Sequence, residues 1–160
     1  MNIFYIDPNP IVAAQQLVDK HVVKMIVESA QMLCTAHWET GGSAPYRKAY
    51  SNHPSTLWVR QSIQHYNWLV NHSLGICAEY TYRYGKKHKT QNILEWLRDN
   101  KPNISDNGFI DPPLCMPDIY KIDNAINSYR NFYVKDKVGV KGLDWKKDPN
   151  KKPQWFSEYL

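Results

Sequence analysis

Residues 11–38, IVAAQQLVDKHVVKMIVESAQMLCTAHW, decide the fold. Ile11, Ala14, Val18, Val22, Met25, Ile26 and Leu33 recur at the three-and-four spacing of one helix face, with Ser29 among them. The pattern predicts a helix from Ile11 to about Trp38. Asn9 can cap it and Pro10 suits its first turn. The turn-rich TGGSAP at 40–45 ends it. The polar residues also gather. At about 100° per residue, His21, Lys24, Glu28, Gln31 and Thr35 fall on one narrow stripe. Most of the remaining circumference is apolar, so the helix belongs at the centre of the molecule, with one polar line facing a cleft or solvent.

Two readings of that stripe compete. In the plain one it is a solvated face, and Lys24 and Glu28 form an i,i+4 pair worth a few tenths of a kcal/mol. In the sharper one a carboxylate stands beside a histidine and an amine in a partly dry groove. There Glu28 serves as general acid or base, or stabilises a developing cation.

Working outward, NIFYI at 2–6 is a β-like segment or a tail packed on the core. After the loop YRKAYSNHPST, Asn52 or His53 caps a second start that Pro54 opens. Ser55 to Tyr84 reads as one long helix or two consecutive ones, with Gly75 a weak point and Gly85 the stop. The basic run KKHK follows, and Thr90 caps a short amphipathic helix, QNILEWLRDN. Residues 101–118 are Pro-rich loop, and a last helix runs from Ile119 to about Val134. There is no internal repeat and no domain boundary. The expectation is all-α: a single compact helical domain over 1–160, with two or three long helices packed around a central N-terminal one. Residues 1–8 form its apolar N-terminal segment, and 135–160 form a basic aromatic tail packed on it.

The composition fits. The chain has 160 residues, 42% of them hydrophobic, enough for a real core. Its net charge of +5 permits a polyanionic partner without requiring one. Cys34, Cys77 and Cys115 are far apart and form no CxxC, so they read as reduced thiols buried in an intracellular, cytoplasmic protein. No metal site and no cofactor is expected from these spacings. No run reaches the ~18 apolar residues of a membrane span, so no membrane partner is expected. MNIFYI meets Asp7 and Pro8 at once, which does not read as a signal peptide.

Further candidates lie outside the stripe. His53 is a cap or a site residue. Arg47, Lys48 and Arg60 bracket its loop and suit phosphates, or are ordinary surface charge. Lys86, Lys87 and Lys89 follow Tyr82, Arg83 and Tyr84, and aromatic and basic residues together suit stacking and phosphate contact. A basic helix C-terminus equally complements the helix dipole. Trp145, Trp155 and Phe156 read as anchors of the tail on the core.

LVDKHVVKMIVESAQML (17–33) resembles the first helix of the pyrimidine-dimer DNA glycosylases, the phage endonuclease V group. That helix carries a histidine and, seven residues later, a catalytic glutamate, and His21 and Glu28 match both positions. NIFYIDPNP, NHPST (52–56), HYNWLVNHSLGICAEYTYRYG (65–85) and KKPQWF (151–156) are similar, in order, to further segments of that family and its relatives. The resemblance implies DNA repair: a glycosylase and abasic-site lyase acting on damaged or modified pyrimidines in duplex DNA. It implies an α-amine nucleophile that forms a Schiff base at the sugar C1′, followed by β-elimination, with the glutamate supporting the sugar intermediate. Asn2 is too large for efficient removal of Met1, so the amine is that of Met1. Lys24, one turn before Glu28, is the other available amine. Arginines that the family carries just before the glutamate and three residues after it are Val27 and Gln31 here, which bears on dimer specificity more than on fold. A base-modifying enzyme on the same scaffold without lyase chemistry, or a non-enzymatic DNA-binding protein, are the alternative readings.

Overall fold

The structure, a computed structural model, describes all 160 residues. Asn9 opens the first element: its side chain accepts from the main-chain N–H groups of Ile11 (2.9 Å) and Val12 (3.2 Å). Pro10 then takes the first helical position of α1, Pro10–Gln15. The expected long helix is broken here. Residues 16–18 leave the helix, and α2 runs Asp19–Glu39. No glycine or proline marks the break; distant side chains hold it. The Arg83 guanidinium donates to the carbonyls of Leu17 (2.6 Å) and Gln15 (3.0 Å) and to Asp19 Oδ1 (3.1 Å). Trp145 Nε1 donates to Gln16 O (3.0 Å), and the Val18 N–H donates to the Tyr133 hydroxyl (3.0 Å). A helix end normally leaves such groups unpaired.

His53 caps α3, Pro54–Gln61, by accepting from Ser55 N–H at 3.1 Å. The segment to Tyr84 is two helices. Ser62 is extended (φ −155°, ψ 144°) and starts α4, Ile63–Tyr84. The interruption is therefore at Ser62 and not at Gly75, which sits inside a continuous helix. A β-carbon at Gly75 would lie 3.1 Å from Ala14 Cβ and from Ile11 Cδ1, so the missing side chain is what lets α1 lie close on α4. Gly85 ends α4 in the left-handed region (φ 70°). Next comes α5, Gln91–Asp99.

The last predicted helix is corrected most. Asp118–Tyr120 is one 3₁₀ turn, and α6 starts only at Ala125, where the Asn124 side chain caps Asn127 N–H (2.9 Å), and ends at Phe132. It continues as a π-helical stretch, Tyr133–Val140, closed by a Lys141 N–H to Asp136 carbonyl bond of 2.8 Å. The fold is all-helical, with α2 packed against α3, α4 and α5 in a single domain. Ile3–Ile6 join its core, as do Trp145 and Phe156 from the tail. Cys34 and Cys77 are buried, and burial pushes their thiols up to about 11 and about 12. Cys115 is only half-buried, with its Sγ 3.4 Å from Ser55 Oγ. No helix is long and apolar enough to cross a membrane.

Candidate active site

The amino-terminal segment is bent back on itself. The Asn2 side chain accepts from Phe4 N–H (2.9 Å) and donates to the Cys115 carbonyl (2.9 Å). Phe4 takes a left-handed backbone (φ 54°), rare for a residue with a β-carbon. Its ring lies on His21, centroids 4.3 Å apart and nearly parallel. The bend delivers Met1 to α2. The Met1 side chain is 3% exposed while the residue as a whole is only half-buried, so what faces solvent is its main-chain end, the amine.

That amine is 3.4 Å from Glu28 Oε1. Glu28 is itself 17% exposed, and its Oε2 has no hydrogen-bond donor; the Lys24 ammonium is 3.8 Å away and 61% exposed. The three groups open on a cleft of about 680 Å³, also lined by Val23, Val27, Gln31, Tyr50 and His88. Here an amine, a carboxylate and open space meet, the parts needed for attack on an electrophilic carbon with a proton acceptor at hand.

His53 borders the same pair. Burial pulls its pKa down, as does the positive amino terminus, while Glu28 opposes the shift. Its Nδ1 is occupied as the cap of α3, so Nε2 carries the proton in the neutral ring.

His21 lies elsewhere. It is buried between Phe4 and Tyr133, whose hydroxyl is 2.8 Å from its Nδ1, and it does not line the cleft. The spacing to Glu28 is real, but the amino-terminal segment folds over the first turn of α2 and covers it. Burial, and then the charges of Lys137, Lys24 and Lys20, push its pKa down to about 3. The unfolded value is near 6.5, so the unfolded chain takes up this proton first. The stability His21 contributes is therefore complete above pH 6.5 and declines as pH falls toward 3. His21→Phe keeps a ring on Phe4 and cannot titrate. Its unfolding free energy should lose about 2 kcal/mol less than wild type between pH 7 and pH 5, at 1.36 kcal/mol per pH unit, measured by urea unfolding at both pH values. Parallel pH profiles would show that His21 is not held neutral.

The two basic stretches border the cleft, and Tyr46 of the first is hydrogen-bonded to Thr90 beside the second (2.8 Å). Arg47 and Lys48 are exposed and line an adjoining depression of about 400 Å³ that shares Val27 and Gln31 with it. Lys48 also pairs with Glu39 at 3.0 Å. His88 also lines the cleft, and Lys86, Lys87 and Lys89 around it are exposed. Lys87 contacts Asn92 (2.7 Å) and Glu95 (3.6 Å). Arg60 is not brought in: it is half-buried, lines neither depression, and has one terminal nitrogen enclosed without a partner. Thr35, the far end of the stripe, is buried and exchanges hydrogen bonds with the Ala49 main chain, both 3.0 Å. Tyr50 is a cleft residue that the sequence does not announce, because nothing in its loop signals which way the ring stands. No cluster of three or more His, Cys, Asp or Glu suited to a metal ion is present.

Residues 1–92 match the sequence model of a family described as pyrimidine dimer DNA glycosylase. The matched span contains every residue lining the cleft. No curated protein and no solved structure matches the chain.

Proposed function

The chain belongs to the pyrimidine dimer DNA glycosylase family, and from that membership we propose that it excises damaged pyrimidines from duplex DNA, with the Met1 α-amine as nucleophile and Glu28 as the carboxylate beside it. The observation that carries this reading is the 3.4 Å amine–carboxylate pair at the mouth of an open cleft. Met1 is preferred to Lys24 on two grounds. It is nearer Glu28, at 3.4 Å against 3.8 Å, and its side chain is enclosed where that of Lys24 is 61% exposed.

The steps follow from the atoms. Glu28 accepts a proton from the amine, and the nitrogen lone pair attacks C1′. The glycosidic bond breaks, and the base leaves with its electron pair and takes up a proton. Opening of the sugar ring, with the Glu28 proton passing to the ring oxygen, gives the iminium, and the Glu28 carboxylate so restored stabilises it as a neighbouring negative charge. Loss of a C2′ proton then expels the 3′ phosphate. The damaged nucleotide reaches C1′ attack geometry by leaving the stack, at a cost of a few kcal/mol. His53 Nε2–H is the donor to a phosphate or sugar oxygen. His21 acts through Phe4: it holds the bend that aims Met1.

Borohydride reduction on abasic duplex DNA tests the chemistry, because only an iminium is trapped. Adduct on the Met1 peptide is expected, and acetylation of the amino terminus should abolish it. Adduct on Lys24 would move the nucleophile there. Absence of adduct with turnover of a base in base-containing DNA would favour a base-modifying enzyme, and salt-dependent binding to undamaged DNA alone a DNA-binding protein.

DNA is proposed to lie along the two basic stretches that border the cleft. Replacing Lys86, Lys87 and Lys89 by Gln should weaken binding to duplex DNA. It should also reduce the slope of log affinity against log salt by about 0.9 for each phosphate no longer neutralised. An unchanged slope in a salt titration would remove that stretch from the interface.

A further inference from the structure

Two exposed tyrosines invite comparison. Tyr82 is 64% exposed, but its hydroxyl donates to Asp148 (2.8 Å) and the Lys151 ammonium sits 5.0 Å over its ring. Tyr50 is 67% exposed and lines the cleft with Met1 and Glu28. Its backbone lies in the left-handed region (φ 50°), which only one other non-glycine residue of the chain, Phe4, adopts. Tyrosine has neither the local hydrogen-bonding side chain that helps Asn there nor the missing β-carbon that frees Gly.

The surrounding loop imposes the conformation. Ala49 is tied on both its N–H and its carbonyl to Thr35 of α2. Ser51 Oγ donates to Glu39 (3.1 Å), and His53 N–H donates to the Tyr50 carbonyl (3.1 Å). Strain of this kind persists only where neighbours over-determine it, and it concentrates at ligand clamps. The fold thus holds a bare aromatic face, at a backbone cost, beside the amine proposed to attack the sugar.

Resting on the glycosylase reading above, we propose that Tyr50 is the stacking platform for a nucleobase that has left the duplex stack at the lesion. An unstacked base loses the faces of its neighbours, and a fixed ring restores one of them; alanine substitution at such positions commonly costs about 5- to 150-fold in affinity. The interaction needs only a π-face, so it accepts any base. It places the attached sugar near the Met1 amine. A stacking platform of this kind selects for pairing that has already failed, and so adds to the preference for damaged or mismatched sites.

The test measures affinity for a duplex with one mismatched pyrimidine against the fully paired duplex of the same sequence. Charge interactions are common to both and cancel in the ratio. Tyr50→Phe keeps the ring and should keep the wild-type preference. Tyr50→Asn removes the ring but suits the left-handed backbone, so it should fold with an undiminished melting temperature. Its preference for the mismatched duplex should fall about tenfold. A preference that is the same in wild type and Tyr50→Asn, or absent in wild type, overturns the proposal. Borohydride trapping by the wild-type protein is read separately: if trapping fails while the preference follows the ring, the amine chemistry falls and the stacking platform stands.

Discussion

Glu28→Gln should lower the single-turnover rate on abasic duplex DNA by at least about 100-fold, the effect of losing a positioned general acid or base. Gln keeps the size of Glu28 and can accept one hydrogen bond, but it cannot take the amine proton or face a cation with a negative charge. Binding should change little, because the proposed phosphate-binding residues lie on the two basic stretches. Stability should also change little. Glu28 pairs with the Met1 amine at 3.4 Å and with Lys24, 61% exposed, at 3.8 Å, both at the open cleft, and solvent-facing pairs are worth at most about 1 kcal/mol. Glu28 Oε2 has no hydrogen-bond donor to lose. Rapid-quench rates and thermal melting of the same preparation decide between roles. Full activity per folded molecule with a lowered melting temperature would return Glu28 to a structural part.

Arg83→Met should destabilise the fold by roughly 3–5 kcal/mol in urea unfolding, the range for removing one partner of a buried charge pair. The Arg83 side chain is fully enclosed, and besides its bonds to Gln15, Leu17 and Asp19 its Nε donates to Glu79 Oε1 at 3.0 Å. After substitution Glu79 keeps only Lys151, and Asp19 keeps only the Lys147 N–H (2.9 Å) and loses its cation. Two main-chain carbonyls lose their donor as well. If the 5% exposed Glu79 carboxylate, left with Lys151 alone, is the main cost, adding Glu79→Gln should recover part of the loss, and Arg83→Lys should fall between. A loss under about 1 kcal/mol in Arg83→Met would mean that water replaces the guanidinium at the α1–α2 junction.

The junction explains where the sequence was readable and where it was not. Asn9–Pro10, His53–Pro54 and Gly85 each carry their own instruction within a few residues, and the structure starts or stops a helix at each. The break at 16–18 depends on Arg83, Tyr133 and Trp145, more than sixty residues further along, and no local pattern announces it. The α6 segment misled for the opposite reason: Ile119 and Ile122 look periodic but are 80% and 49% exposed. In the candidate site, the stripe on α2 and the two basic runs were legible as spacing and charge. The burial of His21 was not, because what covers it is the amino-terminal segment, whose bend rests on Asn2 and Cys115. Tyr50 was not legible either, since its conformation is imposed by partners on α2.

The bend at Asn2–Phe4 has a practical corollary for anyone who makes this protein. A purification tag joined ahead of Met1 would turn the amine into an amide, delete its charge and drive extra chain into the cleft. Leu160, at the opposite terminus, is 85% exposed and lines neither depression at the candidate site. An affinity handle placed there leaves the amino end free beside Glu28.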